Sequence, residues 1–309
     1  MSTPLAYNQL GFRPQSANPV SLSPAEKVAA ELPDTIPAFL HDGSPVHAVG
    51  GWYDAGDLRK WMFLTLPNLQ SLATLAERGP SGLRERAIDE IRWGNRFFHS
   101  MISPEGQVWE DIGGGRIKPG IRIPEDWWFE NHPGCNCDGS ECRWTDNVSG
   151  SGDERFIRTT QNPAIQSMFV RLQARIAPLL SKQECEAALI LAERAWKWSR
   201  NHREDRRTLF VAEELHAAIE LRQHRKDWVS TDEINELVTE LLGRQQISDT
   251  GLSGSFMEAG HQDGFRSLSA SASPAMALMR LIECRPEGCE EAVSKAEESI
   301  RSHIAGYLL

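Results

Sequence analysis

Two aspartates three positions apart, Asp54 and Asp57, are the residues of this sequence best suited to chemistry. They follow the glycine pair Gly50 and Gly51 and lie where the first segment with helical periodicity begins. Glycine lets the backbone take a positive φ or approach another group closely, so the two carboxylates can converge on one spot. Carboxylates that share a site either bind a cation or hold a water molecule between them. The alternative is one aspartate that caps the helix and a second one in the preceding turn.

The elements that must position these aspartates are helices. Ser181 with Glu184, and Ser230 with Glu233, have the spacing of helix start signals, and Pro67 should kink or break the first helix. The short turns between successive segments predict stacked helical hairpins with little strand, and therefore an all-α fold. Apolar residues recur with helical spacing over residues 58–78, 82–102, 159–179, 182–202, 209–225, 231–244, 268–284 and 289–308.

Residues 103–158 interrupt this helical pattern with about 55 residues rich in glycine, proline, tryptophan and acids. Disordered segments are poor in aromatic residues, yet this one holds Trp109, Trp127, Trp128 and Trp144. We therefore predict a long, irregular but ordered and functional Trp-rich loop. Residues 1–50 show no sustained period and predict irregular chain with one short strand.

Composition and charge exclude several classes of partner. The chain has 33 Lys and Arg against 43 Asp and Glu, a net charge of -10, and no dense basic run, so the signature of a nucleic-acid binder is missing. No apolar stretch approaches the roughly 20 residues that cross a bilayer. The N-terminal residues have neither the basic nor the apolar region of a signal peptide. We expect neither nucleic acid nor membrane as a partner, and no classical export signal.

The full string around the aspartates, Gly-Gly-Trp-Tyr-Asp-Ala-Gly-Asp at residues 50–57 with Lys60 close behind, is far more specific than the carboxylate spacing. It resembles the signature of the catalytic domain of glycoside hydrolase family 9, a group of cellulases and related β-glucanases. Weaker similarities to that family are found at Arg92–Asn95 with Gly106–Trp109, at Pro124–Trp127 and at Glu213–Ala218. In addition, Ala6–Pro14 resembles the opening of the immunoglobulin-like module that often precedes this domain.

The resemblance implies an (α/α)6 toroid or barrel of twelve helices, of which the sequence accounts for about eight. We therefore expect an incomplete toroid over residues 41–309, preceded by an irregular segment, residues 1–40, that is a remnant of the immunoglobulin-like module. Such a chain is expected to self-associate through uncovered helix faces. Three explanations stay open: a truncated product, a protein that lost its proton donor and only binds glycans, and a protein completed by another chain.

The resemblance also implies a reaction, the inverting hydrolysis of β-1,4-glucosidic bonds in β-glucan polysaccharides or oligosaccharides. Asp57 would be the base and Asp54 would hold the same water, whereas a separate carboxylic acid about 6.5 to 9.5 Å away must protonate the leaving oxygen. The family's glutamate for that step has no counterpart before Leu309. Glu258 is the only candidate substitute, and the alternative is that Glu258 is a plain loop residue. The rival functions are a glycan-binding protein without turnover and a toroid sugar epimerase or lyase.

Aromatic residues near these motifs are candidates for substrate binding, because a flat ring can cover the apolar C–H face of a β-linked glucose. The alternative is that they pack the loops. The chain has 10 Trp and only 3 Tyr, and the candidates are Trp52, Tyr53, Trp109, Trp127 and Trp128.

A histidine and three cysteines within eleven residues form the only dense set of soft metal ligands: His132, Cys135, Cys137 and Cys142. They would suit a structural zinc that pins the Trp-rich loop, although the cysteine spacing is tighter than usual. The alternative is free or disulfide-bonded cysteines. Asp111, Asp126 and Asp153 lie in glycine-containing loops and are candidates for calcium binding; the alternative is that they are solvated loop acids. The hydrolysis implied by the resemblance requires no cofactor.

Overall fold

A computed structural model describes residues 37–40, 42–52, 60–114, 155–246, 254–258 and 268–308. The chain divides into two compact units, a first unit Met1–Asn162 and a second unit Pro163–Leu309. The predicted boundary between residues 40 and 41 stays a prediction. Ala38, just before that boundary, is fully buried in a strand of the first unit.

The first unit contains a five-stranded sheet with the order β2-β1-β5-β4-β3. β1 and β5 are parallel and the other pairs are antiparallel. The described strands are only two to four residues long, which agrees with the expectation of little strand. Their assembly into a sheet could not be predicted, because strands this short show no alternating pattern. The strands are β1 (Ala38–Phe39), β2 (Pro45–Val46), β3 (Lys60–Trp61), β4 (Asp111–Gly114) and β5 (Arg155–Arg158).

Three helices complete the described part of the first unit: α1 (Met62–Thr65), α2 (Pro67–Arg78) and α3 (Ser81–Phe98). The predicted break at Pro67 is confirmed, since α1 ends before it and Pro67 occupies the first turn of α2. Proline is tolerated there because the first N–H groups of a helix have no partner within the helix. α2 and α3 pack together as a hairpin.

The described part of the second unit forms three helical hairpins, and its helices agree with the predicted segments within four residues at each end. Ser181 and Glu184 form the predicted capping box of α5, and the Ser230 hydroxyl accepts a hydrogen bond from the Glu233 N–H at the start of α7. The helices are α4 (Pro163–Ile176), α5 (Lys182–Arg200), α6 (Thr208–His224), α7 (Thr231–Leu242), α8 (Leu268–Cys284) and α9 (Glu290–Leu308).

Within the second unit the helices form two rows. α4, α6 and α8 contact one another in succession, while α5, α7 and α9 each pack against the partner in their own hairpin. Every residue from Phe210 to Leu221 of α6 is buried, which a surface helix with one apolar face cannot show. α6 is therefore an interior helix of this unit, as is α4, which is buried over almost its whole length. None of the described helices has the length and apolarity that crossing a bilayer requires.

Candidate active site

The structure describes both ends of the segment that carries the paired aspartates, but not the aspartates themselves. Asp54, Asp57 and Tyr53 belong to residues 53–59, here called the aspartate segment, which lie outside the described residues. So do further candidates in residues 115–154: Trp127, Trp128, Asp126, Asp153, His132, Cys135, Cys137 and Cys142. Their predicted roles stay predictions, and the described geometry concerns the flanks.

The glycine pair before the aspartate segment is seated directly on α3. Gly50 and Gly51 have φ values of +89° and +71°, in the left-handed region that favours glycine. A side chain at Gly50 would overlap the Trp93 carbonyl oxygen, and a Cβ at Gly51 would lie 2.7 Å from the Phe97 side chain. Both glycines are thus required by backbone conformation and by close approach to the helix.

Two hydrogen bonds with Trp93 complete this attachment. The Gly51 N–H donates to the Trp93 carbonyl at 3.1 Å, and the Trp93 indole N–H donates back to the Gly51 carbonyl at 2.7 Å. Trp93 and Gly94 belong to the Arg92–Asn95 motif that the sequence singles out. The reason for this motif is now visible, because its members hold the chain that enters the aspartate segment.

Trp52 is a packing residue in this structure. It is 6% exposed, its ring lies 5.9 Å from that of Phe98, and its indole N–H reaches Glu90 Oε2 at 3.3 Å. A Cβ on Gly94 would lie 2.5 Å from Trp52 Cη2, so the ring needs glycine beneath it. Since both faces of a sugar platform cannot be covered by protein, the burial of Trp52 favours the loop-packing alternative.

Trp109 is buried as well, with 7% exposure. Its N–H donates to the Met101 carbonyl at 2.9 Å, and the adjacent Val108 forms a bridge with Ile102. These contacts fix the chain just before β4 and again favour packing over sugar stacking. The other platform candidates, Tyr53, Trp127 and Trp128, lie outside the described residues, and their role stays a prediction.

The far end of the aspartate segment is held by the sheet. Lys60 pairs with Ile112 and Trp61 with Asp111 in the β3–β4 ladder, and the Met62 N–H donates to the Glu110 carbonyl at 3.0 Å. β4 is in turn paired along its whole length with β5. The residues that leave the aspartate segment therefore belong to a continuous ladder of backbone hydrogen bonds.

A side chain also connects the two ends. The ammonium of Lys60, a residue that is only 1% exposed, donates to the Gly50 carbonyl at 2.6 Å and lies 5.4 Å from the Phe97 ring centre. The sequence comparison included Lys60 in the signature without a role. The sequence signal that could have indicated a role for Lys60 is its position directly after the aspartate segment, which follows the glycine pair and Trp52.

A buried ion cluster stabilises the same sheet. Arg158 Nε lies 3.1 Å from Glu110 Oε2, and an Arg158 terminal nitrogen donates to Asp111 Oδ2 at 2.7 Å. Asn162 adds a hydrogen bond to Glu110 Oε1 at 3.3 Å. Burial raises the pKa of Glu110, and Arg158 and Asn162 only partly oppose that rise. Asp111 is fully buried and paired with arginine, so it is not a solvated loop acid.

Glu258, the substitute considered for the proton donor, caps a helix in the second unit. Its Oε1 accepts hydrogen bonds from the Thr208 N–H at 2.7 Å and from the Thr208 hydroxyl at 3.2 Å, at the first residue of α6. Glu258 Oε1 therefore acts as a hydrogen-bond acceptor at the start of α6, which is the structural role of a helix cap.

Metal ligands do not gather in the described ranges, where no group of three or more His, Cys, Asp or Glu side chains could hold an ion. Cys284 and Cys289, which flank the turn between α8 and α9, are free thiols. Burial raises the pKa of Cys284 to about 11, so this thiol is protonated and unreactive at neutral pH.

Comparison with known proteins places this scaffold in context. The model of the family described as Glycosyl hydrolase family 9 matches residues 3–221. A search of curated proteins gave no significant match. A single-mutant thermostable endoglucanase from Alicyclobacillus acidocaldarius is 15% identical with a TM-score of 0.54, over 85% of this chain and 47% of that one.

Two further solved structures share the fold. Endoglucanase CelQ from Clostridium thermocellum, complexed with cellotetraose, is 14% identical with a TM-score of 0.53, over 91% of this chain and 44% of that one. The cellulase Cel9M of C. cellulolyticum is 12% identical with a TM-score of 0.52, over 91% of this chain and 64% of that one. The predicted incomplete (α/α)6 toroid is confirmed, and the chain spans about half the length of the first two of these structures.

Proposed function

Because the chain belongs to glycosyl hydrolase family 9, we propose that it is a cellulase-like glycosidase that hydrolyses β-1,4-glucosidic bonds with inversion. The proposed substrate is a β-glucan polysaccharide or oligosaccharide. Solved structures of the same fold are endoglucanases, and two of them hold cellotetraose and a cellobiose-like isofagomine. These ligands support a cellooligosaccharide as the first substrate to test.

One structural observation carries this proposal: the aspartate segment begins and ends on a rigid scaffold. Gly50 and Gly51 are locked on α3, and Lys60 and Trp61 are locked in the sheet. Catalytic groups work only when they are held close to the productive geometry, and rigid elements hold them better than free loops do. A chain that used its aspartates only as caps and turns would not need this double attachment.

In the proposed reaction, Asp57 accepts a proton from a water molecule, and Asp54 accepts a hydrogen bond from the same water. The water oxygen attacks the anomeric carbon from the face opposite the leaving group, so the configuration inverts. The leaving oxygen must receive a proton from a carboxylic acid. Glu258 is not proposed for that step, because its carboxylate caps α6. We assign the step to a residue outside the described part of the chain or to another chain that completes the site.

The proposal has two further parts that rest on the sequence. Tyr53, Trp127 and Trp128 are proposed as the platforms on which glucose units stack. His132, Cys135, Cys137 and Cys142 are proposed to hold a structural zinc that fixes the Trp-rich loop, and no step of the hydrolysis uses this metal. A calcium ion at Asp126 or Asp153 is a separate proposal that rests on the sequence, and the alternative is that these are solvated loop acids.

The decisive experiment compares the wild-type chain with Asp57→Asn on cellopentaose. We expect Asp57→Asn to lower kcat by about 1000-fold, within the usual range for a general base, while cellopentaose binding changes less than threefold. Reducing ends, the anomer first released in the NMR spectrum, and binding by calorimetry are measured together. Asp89→Asn is the matched control, because Asp89 is an exposed aspartate paired with Arg92 in the same unit.

The outcomes separate the alternatives. Hydrolysis that yields the α-anomer first and depends on Asp57 supports the proposal. Binding without turnover, unchanged by Asp57→Asn, would favour a glycan-binding protein that lacks its proton donor. Turnover of a sugar by epimerisation or elimination that survives Asp57→Asn would favour the toroid epimerase or lyase.

A further inference from the structure

The last helix in the inner row of the second unit, α8, presents an apolar stripe on its surface. Met276 and Met279 are 45% and 49% exposed, and Ala272, four residues before Met276, is exposed as well. Residues spaced by four and then three positions lie on the same face of a helix. These three residues are here called the α8 stripe.

The composition of α8 distinguishes this face from ordinary helix surface. From Leu268 to Met279 the helix contains no charged residue. The exposed side of α9, by contrast, carries ion pairs such as that of Lys295 with Glu291. Centres of protein interfaces are depleted of charged residues and enriched in methionine. The α8 stripe has both of these properties.

The place of α8 in its row indicates what the stripe should contact. α4, α6 and α8 contact one another in succession, so α6 has a helical neighbour on each side. Among the described residues, α4 and α6 expose no large apolar side chain. α8 is the last described helix of the row, and its exposed stripe is the surface on which a further helix can pack.

A second copy of α8 fits this surface. Because the stretch from Leu268 to Met279 is uncharged, two copies can approach there without repulsion between like charges. Arg280 and Glu283, which pair with each other at 2.6 Å, lie beyond the stripe towards one end of the helix. In an antiparallel pair each charged end lies beside the uncharged half of the other helix, and the two helix dipoles oppose each other.

We propose that two copies of this chain associate through their α8 stripes, with the two α8 helices antiparallel. The interface is isologous, so Met276 of each protomer contacts the partner's Met279. The row of helices then continues from one protomer into the other. A contact built on one helix face is small, and a dissociation constant of about 10 μM is expected for it. This inference is independent of the proposed hydrolysis.

Sedimentation velocity of the full chain, at concentrations from about 1 to about 200 μM, spans this dissociation constant. Met276→Lys combined with Met279→Lys should raise the Kd about 100-fold, because four ammonium groups would meet at the centre of the interface. Ile190→Lys combined with Ile304→Lys is the matched control. These isoleucines are 53% and 52% exposed on α5 and α9, and their replacement adds the same charge. The Kd of the control should stay within about threefold of wild type.

A charge exchange tests both the identity of the partner and the direction of the helices. Met276→Lys alone and Met279→Glu alone should each raise the Kd about 30-fold. Combined in one chain, the two changes place the lysine of each protomer against the glutamate of the other. The Kd should then fall about tenfold from that of Met276→Lys. In a parallel pair the like charges would meet, and the Kd would not recover.

Three results would overturn the inference. The first is a wild-type chain that is monomeric at the highest concentration. The second is a dimer that the lysine pair leaves intact, or that the control weakens equally. The third is the absence of recovery in the charge-exchange variant. Urea midpoints check that each variant is folded, and Met276→Gln with Met279→Gln, which should raise the Kd about tenfold, replaces the lysine pair if that variant unfolds.

Discussion

Both units of this chain contain buried ion pairs, but they differ in what else their buried polar groups bind. In the first unit, close contacts and cationic side chains act on the backbone: glycines seated on α3, and Lys60 bound to the Gly50 carbonyl. In the second unit, buried charges pair with each other across neighbouring helices, as Arg171 does with Glu213 and Arg280 with Glu220. The first arrangement fixes where a loop begins and ends, whereas the second fixes which helices are neighbours. We place the proposed chemistry in the first unit because the loop that carries the aspartate pair begins and ends there.

Two buried glutamates show the same contrast. In the first unit burial raises the pKa of Glu110. Glu220 in α6 is also buried, and burial, which raises its pKa, is the largest single influence on that pKa. However, hydrogen bonds from His216 and Arg280, with the Arg280 charge, together outweigh burial and lower its pKa to about 2. Glu220 is a fully compensated structural anion, while Glu110 is not.

The largest effect on stability is expected from breaking an ion pair of the second unit. Arg171→Met should lower the free energy of unfolding by about 4 kcal/mol, because Glu213 is left buried without its guanidinium partner. Urea unfolding measures the loss. The double variant Arg171→Met with Glu213→Leu should recover most of it. A loss under 1 kcal/mol, or a specific activity that falls in the folded protein, would contradict the division between the units.

A backbone contact of the first unit should have the next largest effect. Gly51→Ala adds a Cβ that would lie 2.7 Å from the Phe97 side chain, at a φ of +71°. We expect a loss of about 3 kcal/mol in urea unfolding, from the strained φ and the overlap together. Gly43→Ala separates the two causes, because Gly43 has a φ of +86° in open space, and should cost about 1 kcal/mol. Equal losses in both variants would show that contact with α3 contributes nothing.

Acid should act on the two glutamates in opposite directions. A folded pKa below the ordinary value means that Glu220 contributes stability above about pH 4.5, which is lost as the pH falls towards 2. Wild type should therefore lose roughly 2 kcal/mol more unfolding free energy than Glu220→Gln when the pH is lowered from 7 to 3. A raised pKa means that Glu110 contributes stability below about pH 4.5, which is lost as the pH rises through its folded value.

Glu110→Gln should consequently be less destabilising at pH 7 than at pH 4, because the pKa of Glu110 is raised in the folded protein. Urea midpoints at pH 7, 5 and 3 for wild type and both variants make the measurement. His216 contributes in the same direction as Glu220, since burial lowers its pKa below the ordinary 6.5. Parallel pH profiles for Glu110→Gln and Glu220→Gln would refute the contrast between the two sites.

The smallest expected effect concerns a local signal. Ser181→Ala removes the side chain that accepts from the Glu184 N–H in the capping box of α5, and should cost about 1 kcal/mol. Lys182→Ala, an exposed change at the next position, should stay within about 0.5 kcal/mol of wild type. Circular dichroism and urea unfolding measure both variants. A loss in Ser181→Ala no larger than the loss in Lys182→Ala would show that the cap does not stabilise α5.

The helices could be predicted because their determinants are local. Pro67 ends one helix wherever the rest of the chain goes, and Ser181 meets Glu184 three residues later within one turn. The sheet could not be predicted in the same way, since β1 finds its partner Phe156 more than a hundred residues beyond Phe39. Strands this short show no period, and their pairing depends on the folded path of the chain.

The candidate site divides along the same line. The sequence by itself determined the family signature, the aspartate pair as candidate catalytic groups and the order of helical hairpins, because these depend on residue types at short spacing. Only the tertiary structure decided that Trp52 and Trp109 are buried, that Glu258 caps α6 and that Lys60 reaches Gly50. A side chain's exposure and its partners depend on what the fold brings next to it, and residue spacing contains no such information.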